Sequence, residues 1–408
     1  MKINNKKIAY ILSQFPETHE TFILREIIEL KKNQINVQLF SLKKCKDKVV
    51  HPQAQEFITQ THYSALLSIN VIKALLYFIW NRPLECLSLF TYLIKSNITS
   101  FEFLIKSIAI IPISLYYAKL IRDLEITHLH AHWATIPTTS AVIISKILGI
   151  SFSFTAHAWD IFLPNPMLKE KVQHAEFVAT CTGYNKKYLD SLLDYKENDK
   201  IILNYHGIDF DTLPEINKNI EDNLIFSIGR LCEQKGFPYL LDACDILRDQ
   251  GYQFKCIIIG EGPDRKALTL QIEQLELQEY VVLSGMKPQS YIFDMFNKAR
   301  MFVLPCVISK NGDRDGIPNV MIEALAMRTP VISTTVSGVP EIIQNNITGI
   351  TVEPRNSLQL ADAIIGLLND PDAAKTFVKN GRELVEEKFD IKKNVRELVS
   401  ILINRNHE

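Results

Sequence analysis

Short apolar runs bounded by turn residues alternate with segments of helical period along nearly the whole chain, the pattern that parallel β/α units produce. In the first half, Ile8–Leu12, Val37–Leu42, His128–His132, Ser151–His157, Phe177–Thr182 and Ile201–Tyr205 read as strands. Thr21–Lys32, Thr138–Leu148, Asn185–Leu193 and a long apolar block over 66–122 read as helical. A polar stretch, Asp209–Asn223, with Pro214 and three Asn, predicts a linker. The pattern then restarts. Leu224–Ile228, Cys256–Ile259, Val281–Leu283, Met301–Leu304 and Val331–Ser333 read as strands, with helices over Pro238–Arg248, Arg265–Leu275, Tyr291–Ala299 and Val320–Met327. A helical tail from Leu358 closes the chain. The expected class is α/β, with two Rossmann-like, doubly wound halves facing a cleft at the carboxyl ends of their strands, where such folds bind ligands.

Composition narrows the function. At roughly 100–200 residues per domain, 408 residues suit two or three domains, and 47% hydrophobic with 22% charged residues excludes extended disorder. With 45 Lys and Arg against 46 Asp and Glu, the chain is no polycation and nucleic acid is not an expected partner. The balance hides an asymmetry: residues 1–210 carry 23 basic and 18 acidic groups (+5), residues 211–408 carry 22 and 28 (−6). A positive first half suits anionic lipid or a phosphorylated ligand, or is simply a solvated Lys-rich surface. The seven cysteines are scattered with no CxxC spacing, so reduced thiols in the cytoplasm are expected. The opening MKINNKKIAYILSQF turns polar at Ser13–Gln14 and does not read as a signal peptide. A membrane span needs about 20 apolar residues. Leu66–Trp80 is interrupted by Lys73, and Phe103–Ile121 by Lys106, Pro112 and Lys119, so neither qualifies. These two segments are either buried helices or helices resting at lipid headgroups.

Five segments carry candidate chemistry. In FSIGRLCEQKGFPYLLDA (226–243) a buried strand ends at Gly229, with Arg230 and Lys235 in the loop before the next helix. A guanidinium fork and a mobile ammonium beside helix amides suit a diphosphate. In DRDGIPNVMIEALAMRTPVIST (313–334) Asp315 and Gly316 precede a helix with Pro318 in its first turn, and Glu323 shares a face with Asn319. Two carboxylates near a helix N-terminus suit sugar or ribose hydroxyls, while the amides suit phosphate; helix capping is the plainer account of Asp315. IGEGPDR (259–265), with Gly262, is a Gly-rich strand-to-helix turn. In SFSFTAHAWDIF (151–162) Ser151, Ser153, Thr155 and His157 share a face, placing His157 at a strand tip with Asp160 three residues on to orient it. THLHAHW (127–133) puts His128, His130 and His132 on one face, a pattern that can bind metal, with the remaining ligands of a closed shell not evident in the sequence.

These segments, in this order, resemble the retaining glycosyltransferase family 4 with its GT-B architecture, over almost the entire chain. The resemblance is narrower still to bacterial exopolysaccharide glycosyltransferases of the colanic-acid type, carried by SQFPETHETFILREI, HLHAHWA, FTAHAWDIF, IGRLCEQKGF, IGEGPDR and DRDGIPNVMIEALAMRTPVISTTVSGVPEII. It implies an acceptor-binding domain over 1–208, a nucleotide-sugar domain over 209–389, and a C-terminal helix at about 390–408 available to pack back on the first. It further implies that Arg230 and Lys235 bind the donor diphosphate and that Glu323 holds the ribose. Asp315 takes the position of a sugar-contacting Glu and is one methylene shorter, and His157 matches an active-site His. Gly229, Gly262, Gly316, Ile317, Asn319 and Val320 line the donor site on this reading. The loop Ser13–Thr21 lacks the Gly pair of many relatives; Thr18 is placed to cap the next helix, and Thr18, Glu20, Thr21, His132 and Asp160 are the acceptor-side candidates.

The expected function is therefore transfer of a hexose from a nucleotide-diphosphate sugar, a UDP-sugar in the first instance, to a lipid-linked or oligosaccharide acceptor in surface polysaccharide synthesis. No metal or other cofactor is expected, and the protein is expected in the cytoplasm, with peripheral contact at the inner leaflet left open. The rivals are a metal-dependent hydrolase built on His128, His130 and His132, an inactive partner subunit of the same fold, and a sugar-nucleotide epimerase of the same architecture.

Overall fold

The structure, a computed structural model, describes residues 7–17, 20–45, 52–195 and 199–404. The chain divides into two compact units: residues up to Gly207 together with those from Ile391, and Ile208–Asp390 between them.

The first unit is built on a parallel sheet of β1 (Lys7–Phe15), β2 (Asn36–Lys44), β3 (His62–Tyr63), β4 (His128–His132), β5 (Ser151–Ala156), β6 (Val178–Thr180) and β7 (Ile201–Leu203). Their spatial order is β3-β2-β1-β4-β5-β6-β7, with the first connection running outward and the chain then returning past β1. That reversal between β1 and β4 is a topological switch point, where such sheets bind ligands beyond the carboxyl ends of their strands. Side chains of β1 alternate between two cores, as a strand buried on both faces must. Ala9 and Ile11 join the helices Ile111–Asp123 and Ile136–Leu148, while Ile8, Tyr10 and Leu12 join Thr21–Lys32 and the last helix, Ile391–Asn404. The last helix contributes Ile391, Val395, Leu398 and Leu402, one apolar stripe at helical spacing.

The second unit repeats the plan with β8 (Glu221–Ile228), β9 (Lys255–Ile259), β10 (Val281–Leu283), β11 (Ala299–Leu304), β12 (Val331–Thr334) and β13 (Ile350–Val352) in the order β10-β9-β8-β11-β12-β13. Phe226, Phe296 and Phe302 meet edge-to-face with centroids 5.2–5.7 Å apart and anchor this core.

The structure corrects several element boundaries. The strand expected through His157 ends at Ala156, because His157 caps the helix Ala158–Phe162. The linker expected over Asp209–Asn223 holds a short turn at Phe210–Thr212, and β8 already begins at Glu221. Two short strands, β3 and β13, are absent from the sequence reading: His62–Tyr63 has only two residues, and Ile350–Val352 is broken by Thr351 and so forms no apolar run.

The apolar block resolves into four helices, Ile69–Asn81, Pro83–Ser96, Phe101–Ala109 and Ile111–Asp123. The segment read as Phe103–Ile121 is broken near Ile110, and its second part is a core helix: Ile113, Leu115, Ala118 and Ile121 are buried and Tyr117 donates its hydroxyl to Ser41 O at 2.5 Å. The first two helices bury only Val71, Ala74, Phe78, Leu89 and Leu93. No single described helix is long and apolar enough to cross a membrane.

Candidate functional site

In the second unit three strand-end loops interlock, and glycine is what lets them. Gly236, at φ +69°, turns the chain after β8 so closely that a Cβ there would stand 1.8 Å from Pro305 O, beyond the end of β11. A Cβ on Gly262, after β9, would stand 2.3 Å from Leu231 O. Gly262, expected to line the donor site, therefore has a packing duty first: it brings the turn after β9 against the loop after β8.

Within this knot Lys235 lies with its stem along Gly229 and its Nζ 2.8 Å from Asp315 Oδ2. Burial works against the charged ammonium, but Asp315 and the neighbouring thiols of Cys306 and Cys232 outweigh it and hold its pKa above the ordinary lysine value. Asp315 also accepts the Cys306 thiol at 3.8 Å. Its carboxylate is thus engaged by Lys235 and is not a helix cap; the cap of the helix Asn319–Ala326 is Pro318, which the sequence reading had placed inside the first turn. Arg230 projects into solvent beside this pair, near enough to help lower the pKa of Asp313 and Cys232. On Asp313 that influence loses to burial and to Asp315, which together raise its pKa, and Gln234 donates to it at 3.2 Å. Burial likewise pushes the Cys232 thiol up to about 11. Two cations therefore share a small space with the carboxylates of Asp313 and Asp315.

Asp315, Gly316 and Ile317 lead into the helix Asn319–Ala326, whose first amides, at Asn319 and Val320, have no acceptor of their own within the helix. Glu323 sits one turn on, half-buried, opposite the buried stripe of Met321, Ile322, Leu325 and Ala326. Gly229, Arg230, Lys235, Asp315 and Gly262 are thus gathered by the interlocked loops, with Glu323, Asn319 and Val320 on the adjoining helix.

In the first unit His157 is buried at the carboxyl end of β5, and neither ring nitrogen has a hydrogen-bond partner among the described residues. Burial, then the neighbouring His206, His132 and His130, push its pKa well down, so the imidazole is neutral. Trp133 lies 4.3 Å from it between ring centroids, Phe22 5.0 Å and His206 5.0 Å. Phe22 and His206 stack at 4.2 Å, and burial lowers His206 to about 4. A neutral, unpartnered imidazole walled by aromatic faces is suited to a sugar hydroxyl and its apolar ring face.

Asp160 does not orient the His157 ring. It accepts from the backbone N–H of His157 at 2.7 Å and from that of Ala134, fixing the loop after β4 against the helix Ala158–Phe162. Burial raises it to about 7, and Lys171, lowered by burial to about 7, donates to Ala134 O at 2.7 Å in the same network. Glu20 caps the helix Thr21–Lys32 by position, with no side-chain bond to its amides, and Thr21 is its first residue. Burial, then Glu17, raise Glu20 to about 7. Thr18, expected as the cap, lies outside the described residues.

The three alternating histidines form a ladder. His128 bonds Ser151 (2.9 Å) and Ser153 (2.7 Å), and His130 bonds Ser153 (2.8 Å) and Thr155 (2.9 Å), on the neighbouring strand β5. His132 meets Glu26 at 3.1 Å. Burial opposes the charge on Glu26, but His132, His130 and the Tyr10 hydroxyl hold it down to about 2. Among the described residues, two groups bring ligand atoms close enough for a metal ion: Glu26, His130 and His132, and His157, Cys181 and His206. In the first, both nitrogens of His130 already have hydroxyl partners, so a metal would have to displace one, which disfavours the hydrolase reading.

Sequence reasoning missed Phe22, Trp133 and His206. Trp133, at φ +78° directly after β4, carries no signal of its conformation in the sequence.

Comparison with known proteins bears on the second unit. Residues 209–384 match the family described as Glycosyl transferases group 1. Over that stretch, most of the second unit, the chain is similar to group 1 glycosyltransferases.

Similar proteins include the putative colanic acid biosynthesis glycosyltransferase WcaL of Escherichia coli K12, 37% identical over 179 residues, 44% of each chain. The amylovoran biosynthesis glycosyltransferase AmsK of Erwinia amylovora is 36% identical over 179 residues, again 44% of each. The matched part thus spans less than half the length of these relatives. The fold is also that of a glycosyltransferase from Rickettsia africae (TM-score 0.70, 18% identity, 99% and 100% of the two chains) and of Anabaena HepE, solved with UDP-glucose (TM-score 0.69, 15% identity, 97% and 99%). These are GT-B structures, so the architecture expected from the sequence holds, and the matched stretch contains every residue of the Arg230–Lys235–Asp315–Glu323 set.

Proposed function

We propose that the protein is a retaining hexosyltransferase that uses a nucleotide-diphosphate sugar, a UDP-sugar first among them, in bacterial exopolysaccharide synthesis. The observation that carries this reading is the knot of the second unit, which holds Lys235 and Arg230 together at a helix N-terminus. Breaking the bond between sugar and diphosphate places negative charge on the departing phosphate oxygens and oxocarbenium character on the sugar. Arg230 offers a planar fork and Lys235 a shared proton donor, moving from Asp315 toward phosphate as charge grows. Glu323 holds the ribose hydroxyls, and Asp315, freed in part from Lys235, contacts the sugar. His157, neutral throughout, binds a sugar hydroxyl as donor or acceptor without adding charge. The departing phosphate accepts the proton of the attacking hydroxyl on the face it leaves, so the new bond forms with retention and no metal is required. The acceptor is lipid-linked or an oligosaccharide, met at the cytoplasmic side.

The test is a thermal-shift panel of UDP-, GDP-, ADP- and dTDP-sugars, since a ligand of the folded state raises its stability. The stabilising sugar is then offered, radiolabelled, with bacterial lipid extracts. One donor should stabilise the protein and yield a glycolipid of unchanged anomeric configuration. Stabilisation by none, or an inverted product, contradicts the reading.

A further inference from the structure

Among the described residues, fourteen of the twenty-four exposed large hydrophobic side chains fall between Leu66 and Ile105. Leu67 is 82% exposed, Trp80 87%, Leu84 77% and Ile98 78%. This concentration is not the scatter expected of an ordinary surface. In the helix Ile69–Asn81 the core takes Val71, Ala74 and Phe78, while Ile69, Ile72, Leu76 and Trp80 occupy the other face at equally helical spacing. The helix is therefore apolar on both sides, and only one side has a partner. Pro83–Ser96 continues the pattern, burying Leu89 and Leu93 and presenting Leu84 and Leu87. The helices pack successively on one another, so the unpartnered residues belong to one substructure.

Charge identifies what covers it. Divided along the structural units, the chain is strongly polar: residues 1–207 with 391–408 hold 27 Lys and Arg against 19 Asp and Glu (+8), and residues 208–390 hold 18 against 27 (−9). The unit that bears the apolar face is the positive one. Across 66–109 the charges are Lys73, Arg82, Lys95 and Lys106 against Glu85 and Glu102, and Lys73 and Lys95 are exposed. Lysine stems that run along apolar surface with their heads in water, and an almost bare tryptophan at a helix end, fit the interface of an anionic bilayer. We propose that the face formed by Ile69–Asn81, Pro83–Ser96 and Phe101–Ala109 docks on an anionic lipid bilayer, lying in its interface without crossing it. This inference does not depend on the transferase reading.

Flotation of the full-length protein with phosphatidylcholine vesicles, and with vesicles that also contain phosphatidylglycerol, tests it. Wild type should float with the anionic vesicles in preference to the neutral ones, with a blue shift of Trp80 emission that Trp80→Phe removes. The triple variant Leu67→Glu, Trp80→Glu, Leu84→Glu changes only exposed side chains; it should keep the melting temperature and lose partitioning about a hundredfold or more. Lys73→Glu with Lys95→Glu should weaken anionic binding by about tenfold or more. The proposal is overturned if wild type does not float or if the triple variant floats as well as wild type. Equal flotation on both vesicle types, or a solution dimer that the triple variant dissolves in the absence of vesicle binding, overturns it as well, the latter assigning the face to a second copy.

Discussion

Lys235 and Asp315 show how a single contact redistributes roles. Both stand out in the sequence, Lys235 as a cation after a strand that ends in glycine and Asp315 as an acid before a Pro-led helix. Their 2.8 Å ion pair was not legible, since it joins loops 80 positions apart. The same distance effect hid the cage around His157: Phe22, Trp133 and His206 come from three separate elements, and each alone is an unremarked aromatic. Glu20 gives a residue-scale prediction. Its folded pKa, about 7, lies above the unfolded value of about 4.3, so the folded state binds this proton more tightly. Its favourable contribution is present below about pH 4 and is lost as pH rises through about 7. Glu20→Gln should therefore raise the melting temperature only modestly at pH 5 and markedly more at pH 8, by differential scanning calorimetry. An equal effect at both pH values would place Glu20 in ordinary solvent.

At the scale of elements, β4 and β5 and the loops beyond β8, β9 and β11 show what periodicity reads and what it does not. Alternation placed the histidines on one face and Ser151, Ser153 and Thr155 on one face. The register His128↔Ser151 that joins them into a ladder emerges only with the sheet. Ser153→Ala leaves His128 Nε2 and His130 Nδ1 without their hydroxyl and should lower stability by about 1–3 kcal/mol in denaturant unfolding, with nucleotide binding retained. Full stability in that variant would remove the ladder from the account. Glycines make the complementary point. Gly262→Ala must push apart two backbone segments and should cost more than about 2 kcal/mol and weaken nucleotide binding, whereas Gly366→Ala, in a helix with open space around it, should gain about 0.5–1 kcal/mol. Similar melting temperatures for the two variants would contradict the interlocked loops. The apolar block was the hardest to read, because hydrophobicity alone does not tell which side of a helix has a neighbour: Ile111–Asp123 went into the core, while Ile69–Asn81 kept half its apolar surface outside.

For the whole molecule, the two β/α repeats were legible because each repeats one pattern over many elements, whereas the expected linker overlaps β8, which begins at Glu221. The return of the last helix to the first unit was not derivable from periodicity; its stripe of Ile391, Val395, Leu398 and Leu402 fits any apolar face. The same division separates charge by unit, +8 and −9, which fits a protein with one surface for lipid and another for chemistry. The central claim is that Arg230 and Lys235 of the second unit grip a nucleotide diphosphate without a metal. Isothermal titration of UDP into the wild-type protein and into Arg230→Ala and Lys235→Ala, with EDTA throughout, measures this most directly. Saturable binding by wild type, weakened about tenfold or more in each variant with the melting temperature of the free protein preserved, is the predicted result; equal affinity in all three, or binding that EDTA abolishes, would contradict it.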